Sequence, residues 1–171
     1  DLSGLTVAIV GDIVSSRVAR SDIAGFSKLG ARVVCVGPAP LAPPALAALG
    51  CEVHTDLDEV LGEADAVQML RMQFERHGET KEPTRQVSSR TLPGIGSARE
   101  YRAHYALTED RARRMKAGAV VMHPGPINRG FEMDGSVADG LADGPRSAVL
   151  TQVAAGVLVR MAVLASLLGR S

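Results

Sequence analysis

The chain has 171 residues and a mass of 17.9 kDa, with 19 Lys and Arg balanced by 19 Asp and Glu. That is the size of one domain with a real core, and 46% hydrophobic against 22% charged residues lies far from the composition of disorder. Zero net charge removes the electrostatic basis for binding nucleic acid or an acidic membrane, and two cysteines with four histidines in separate segments supply neither a disulfide framework nor a metal-ligand spacing.

Along the chain, short apolar runs at residues 5–10, 31–36, 51–54, 66–70 and 119–122 are mostly β-branched and lack polar alternation. Such runs predict strands buried on both faces of a parallel sheet. Between the first two, Val18, Ile23, Phe26 and Leu29 recur near helical spacing over residues 15–29, and Gly30 closes the helix. Cys35 and Cys51 read as buried free thiols of a reducing compartment. Asp56-Leu57-Asp58-Glu59 resembles a capping box, and Thr108-Glu109-Asp110 opens a further helix that ends in Arg113, Arg114 and Lys116. The β-α alternation predicts an α/β fold, a doubly wound, Rossmann-like sheet of five parallel strands in the order 3-2-1-4-5 with helices on both faces.

Residues 77–100 break this rhythm, being polar and rich in Gly, Pro, Ser and Arg, as functional loops are. Residues 123–144, rich in Gly, Pro and Asp, lead into a terminal helix over 147–168 that is apolar all round. Arg160 near its middle would be costly in hydrocarbon, so the helix reads as part of a soluble fold. One sheet covers only a stripe of it. Val149, Val153, Val157, Leu164 and Leu168 cannot all be buried, and an exposed apolar patch is expected. Residues 1–171 read as a single domain. The start, Asp1-Leu2-Ser3-Gly4, has no initiator Met and no export signal in view, as expected of an excised piece.

Ligands of open parallel sheets bind beyond the carboxyl ends of the strands, so the residues after each strand carry the functional argument. After the first strand, Gly11-Asp12-Ile13-Val14-Ser15-Ser16-Arg17 puts Arg17 in the first turn of a helix whose amides favour an anion. The segment lacks the Gly-x-Gly-x-x-Gly pattern of dinucleotide sites. After the fourth strand, Leu70-Arg71-Met72-Gln73-Phe74-Glu75-Arg76 places Arg71 and Gln73 on one face if the backbone stays extended, with Met72 and Phe74 on the other. Guanidiniums at neighbouring strand ends suit a ligand with two carboxylates. Pairing of Glu75 with one of the arginines is the competing, purely structural use. After the fifth strand comes His123-Pro124-Gly125-Pro126-Ile127-Asn128-Arg129-Gly130. Its two prolines fix a turn, remove two amide donors and leave carbonyls directed beyond the sheet. A cis Gly125-Pro126 bond fits such a turn, although trans is the commoner form. His123 on its own reads more readily as a structural histidine than as a catalyst.

Met69-Leu70-Arg71-Met72-Gln73-x-Glu75-Arg76 and Met122-His123-Pro124-Gly125-Pro126-x-Asn128-Arg129-Gly130 stand in this order after Val10-Gly11-Asp12 with Ser15 and Arg17. With the helix Gln152-x-x-x-Gly156-Val157-x-Val159-Arg160-Met161-Ala162-Val163-Leu164 they make the chain resemble the aspartate-binding half of aspartate carbamoyltransferases. The resemblance implies transfer of a carbamoyl group from carbamoyl phosphate to L-aspartate, giving N-carbamoyl-L-aspartate and phosphate in pyrimidine synthesis. It implies that Arg17 and Arg71, assisted by Gln73, hold the aspartate carboxylates. The backbone carbonyls of Pro124, Gly125 and Pro126 would receive the carbamoyl amine and the attacking amino group. It further implies a cytoplasmic homotrimer of catalytic chains, with no metal, cofactor, nucleic acid or membrane.

The family's carbamoyl-phosphate half, with its Ser-Thr-Arg-Thr-Arg and His-Pro-Thr-Gln signatures, is absent from these residues, so no catalytic residue is assigned here and the chain alone is expected to be inactive. The segment 77–96 departs from the Gly-Gly-Phe-Phe-Pro stretch common in such proteins, and similarity returns at Ser97-x-x-Glu100-Tyr101. Two other readings stand beside this one. An ornithine-type carbamoyltransferase would tend to carry Cys where Pro124 stands and to lack the Arg-x-Gln-x-Glu-Arg pattern, while a non-catalytic small-anion module would need no second half.

Overall fold

Branched side chains suit a pleated surface packed on both sides, and the valine-rich runs form the strands. The computed structural model describes residues 1–73 and 96–169. In chain order these form β1 (Thr6–Val10), α1 (Arg17–Lys28), β2 (Arg32–Val36), a 3-10 turn (Pro44–Leu49), β3 (Glu52–His54), α2 (Asp58–Leu61) and β4 (Ala66–Met69). They continue with α3 (Ala98–Tyr105), α4 (Glu109–Arg113), β5 (Val120–Met122), α5 (Gly135–Asp139), β6 (Arg146–Ser147) and α6 (Val149–Leu167).

All strand pairings are parallel, in the order β3-β2-β1-β4-β5-β6. The predicted order 3-2-1-4-5 is present, but the sheet has six strands where five are expected. The sixth escapes a periodicity argument because it is two residues long and polar. It is held by the Arg146 and Ala148 amides, which donate to the Ala119 and Val121 carbonyls at 3.0 and 2.8 Å.

Alternating strand residues supply two cores. Ala8, Val10, Val34, Val36, Val67, Met69 and Val121 face α2, α4 and α5 through Leu57, Leu61, Ala112 and Val137. Ile9, Val33, Cys35 and Leu70 face α1 through Ala19 and Ile23. Burying each of the larger of these side chains contributes about 1.5–3 kcal/mol, which fixes the register of β1 between its neighbours. Both cysteines are buried and unpaired. On the first face the half-exposed Asp58 accepts from Arg111 Nε and Nη2, both at 2.9 Å, and this guanidinium holds the carboxyl below its usual range.

Helix α3 is additional to the predicted elements, although Ser97 and Glu100 carry its start: Ser97 Oγ accepts the Glu100 amide at 3.1 Å. The expectations for Phe74, Glu75 and the atypical loop fall on residues 74–95, outside those described. Helix α6 has only Val149 buried among its residues. Leu150 is 83% exposed, Leu158 67% and Leu167 78%. By length and composition it is the one described helix able to cross a membrane, yet it follows directly on a sheet strand and carries Arg160.

Candidate functional site

Strand order reverses between β1 and β4, where neighbouring strands leave in opposite crossover directions and a crevice opens at their carboxyl ends. The segments following β1 and β4 line it. Gly11 begins the first at φ +130°, and a Cβ at this position would stand 3.2 Å from both Leu70 Cβ and Tyr101 Oη. Only glycine lets β1 turn so close to its neighbours. Buried Asp12 then accepts the Ser15 amide at 3.1 Å, and Ser16 Oγ accepts the Ala19 amide at 3.1 Å as the N-cap of α1. This capped turn makes Arg17 the first residue of the helix.

Past β4 the chain continues through Arg71, Met72 and Gln73. Met72 is 1% exposed and packs with Leu41, Ala98, Tyr101 and Phe131, so Arg71 and Gln73 turn the other way. Arg17, Arg71 and Gln73 line one crevice of about 280 Å³ with Asp12, Ser15, Ser16 and Val18. Arg17 is exposed, whereas Arg71 and Gln73 are half-buried. Tyr101 is fully buried behind Met72, its ring stacked on Phe131 at 5.0 Å, and burial pushes its phenol pKa up.

The turn after β5 is not among the residues lining that crevice. It is nonetheless tied to the same strand end, because Asn128 Nδ2 donates to the Met72 carbonyl at 3.1 Å. The Gly125-Pro126 bond is cis and Gly125 sits at φ +65°. Pro124 and Gly125 are half-buried and Pro126 is exposed. Among the described residues none donates to the carbonyls of these three. The crevice thus carries two guanidiniums and an amide, and the acceptor-rich turn is linked to its β4 edge through Asn128.

The profile of the aspartate/ornithine carbamoyltransferase family, Asp/Orn binding domain, matches residues 3–167. The chain belongs to this family. It is 47% identical to the aspartate carbamoyltransferase catalytic subunit of Syntrophotalea carbinolica over 163 residues, which are 95% of the chain and 47% of that protein. It is 50% identical to the catalytic subunit of the same name from Myxococcus xanthus, over 95% of the chain and 49% of that protein. The chain therefore spans about half the length of the curated relatives it matches. Among solved structures, ornithine carbamoyltransferase from Pyrococcus furiosus superposes with a TM-score of 0.70 over 96% of this chain and 50% of that one, at 24% identity, and so shares the fold. The carbamoyltransferase profile runs through α6, which places the apolar helix inside the family's domain.

Polar residues behind the turn escaped the sequence reading. The His123 amide donates to Gln152 Oε1 at 2.8 Å, and Gln152 Nε2 donates to Gln68 Oε1 at 3.0 Å. Glu132, fully buried, accepts the Asn128 amide at 2.6 Å. Gln68 in the middle of an apolar strand and Gln152 at the start of an apolar helix were the available signals, since a buried amide requires a partner.

Proposed function

We propose that this chain is the aspartate-binding half of an aspartate carbamoyltransferase. Arg17 and Arg71 hold the two carboxylates of L-aspartate, Gln73 adds a neutral donor, and the acceptor-rich turn at Pro124, Gly125 and Pro126 orients the amine of aspartate against carbamoyl phosphate. The neutral amine attacks the carbamoyl carbon, the C–N bond forms as the C–O bond to phosphate breaks, and the proton the amine gives up goes to the departing phosphate. Rate comes from proximity and from charges fixed in advance. The observation that carries the proposal is the presence of both guanidiniums in the lining of one crevice, where they suit a ligand with two carboxylates. Ornithine fits it less well, because its side-chain ammonium would face a second guanidinium where aspartate presents a carboxylate.

Carbamoyl phosphate is held mainly by the part of the relatives that lies outside the span these 171 residues match. The exposed apolar surface of α6 supports that division, since uncovered side chains such as Leu150 and Leu158 mark a docking surface. A homotrimer of catalytic chains and a cytoplasmic setting belong to the same proposal. The test is to join the chain to the carbamoyl-phosphate half of the Myxococcus xanthus relative and to measure carbamoyl product from L-aspartate and from L-ornithine. Product from aspartate alone is expected, and none from the unjoined chain. Product from ornithine would favour the ornithine-type enzyme, and its absence from both a simple anion-binding module.

A further inference from the structure

Within Pro124–Pro126 the two prolines have no amide hydrogen, so Gly125 holds the only backbone donor of the turn. That N–H is taken from behind: it donates to Nδ1 of His123 at 2.9 Å. A nitrogen that accepts is bare, so the proton of the neutral imidazole sits on Nε2. Nε2 lies 3.3 Å from Glu132 Oε1 without making a hydrogen bond to it, and both side chains are 0% exposed. The same carboxylate oxygen accepts the Asn128 amide at 2.6 Å. Residues at the two ends of the turn are thus fastened to one buried imidazole–carboxylate pair, and Asn128 and Gln152 extend the fastening to the β4 end and to α6.

We infer that His123 is a positioning residue that turns Pro124–Pro126 into an acceptor-only surface, by occupying the turn's single donor and leaving only its carbonyls to meet a ligand. The inference rests on the aspartate-carbamoylating reading of the site. An amine about to attack carries hydrogens and must be met by acceptors, and a stray N–H aimed at it would repel those hydrogens. Freed from the imidazole, the Gly125 peptide could rotate and present that N–H in place of a carbonyl. The Gly125 amide itself sets the tautomer that prevents this, since only an imidazole protonated on Nε2 leaves Nδ1 to accept, and the Glu132 carboxylate near Nε2 favours a proton there by charge.

The side-chain oxygen of asparagine reaches roughly the place of Nδ1, while glutamine reaches that of Nε2. In the joined enzyme, His123→Gln should lower kcat for aspartate about 100-fold with little change in KM, because the arginines still hold the carboxylates. His123→Asn should stay within about 5-fold of the parent enzyme. Equal losses in the two variants, or a rise in KM at constant kcat, would overturn the inference and leave His123 as packing. A second readout does not depend on turnover or on variants that fold. In the joined protein labelled with 15N-histidine, His123 should show an unprotonated Nδ1 and a protonated Nε2, and the opposite tautomer would refute the arrangement. If the parent enzyme makes no carbamoyl aspartate while His123 shows the expected tautomer, the functional reading fails and the acceptor-only turn stands.

Discussion

Replacing Arg71 by alanine removes the more buried of the two guanidiniums in the crevice, and the difference in burial sets the size of the effect. A hydrogen bond to a charged group contributes about 1.5–3 kcal/mol, and a two-pronged contact in a half-buried site lies toward the upper end. Arg71→Ala should therefore lower kcat/KM for aspartate by about 2–4 kcal/mol of transition-state binding, roughly 30- to 1000-fold. Arg17 is exposed and more strongly screened, so Arg17→Ala should cost about 1–2 kcal/mol, roughly 5- to 30-fold. Arg71→Lys keeps the charge but loses the planar fork, and should fall between the parent enzyme and Arg71→Ala. The assay is steady-state kinetics on the joined enzyme with each substrate varied in turn. The response to carbamoyl phosphate should change by less than about 3-fold, because the phosphate is held elsewhere. Equal losses for both substrates, or a larger loss at Arg17 than at Arg71, would refute the reasoning.

Gly11→Ala should destabilise the fold by about 2–5 kcal/mol, combining backbone strain at φ +130° with overpacking against Leu70 and Tyr101 at 3.2 Å; a loss below about 1 kcal/mol in urea unfolding would contradict the close approach. Asp22 has a buried Oδ2 without a hydrogen-bond partner, and burial raises its pKa from 3.8 to about 6. The folded state therefore binds this proton more tightly than the unfolded chain, and stability falls as pH rises from about 4 to 6. Discounted for partial exposure, Asp22→Asn should stabilise by about 1–2 kcal/mol at pH 7 and by little at pH 4, as read from unfolding at the two pH values. The unjoined chain should self-associate through α6, and Leu150→Glu with Leu158→Glu should reduce that association in sedimentation velocity. A parent chain that stays monomeric at high concentration would contradict the docking role of the helix.

The strands were legible because a parallel sheet covered on both faces favours apolar residues at most positions, without polar alternation. Arg17 and Arg71 were legible for a related reason: they follow strands whose ends must lie side by side once the order is set by right-handed crossovers. Met72 confirmed the alternation, since its burial leaves Arg71 and Gln73 turned toward the crevice. Helix α3 was hidden because it continues a polar stretch without large aliphatic residues to mark it, and strand β6 because it is only two polar residues long. The buried network around His123 was illegible for a different reason. Nothing in the sequence pairs Gln152 with Gln68, 84 positions away, or sets Glu132 beside His123; those contacts follow from how α6 and the segment after the turn fold back on the sheet.

The central claim, that this crevice recognises a four-carbon diacid, is tested most directly by a crystal structure of the joined enzyme with carbamoyl phosphate and succinate. Succinate is the unreactive diacid that lacks only the amine. One carboxylate should lie within hydrogen-bond distance of Arg71 and the other of Arg17, with Gln73 donating and the carbonyls of Pro124–Pro126 facing the carbon that bears the amine in aspartate. Succinate bound elsewhere, or lying on one arginine with its second carboxylate in solvent, would contradict the account.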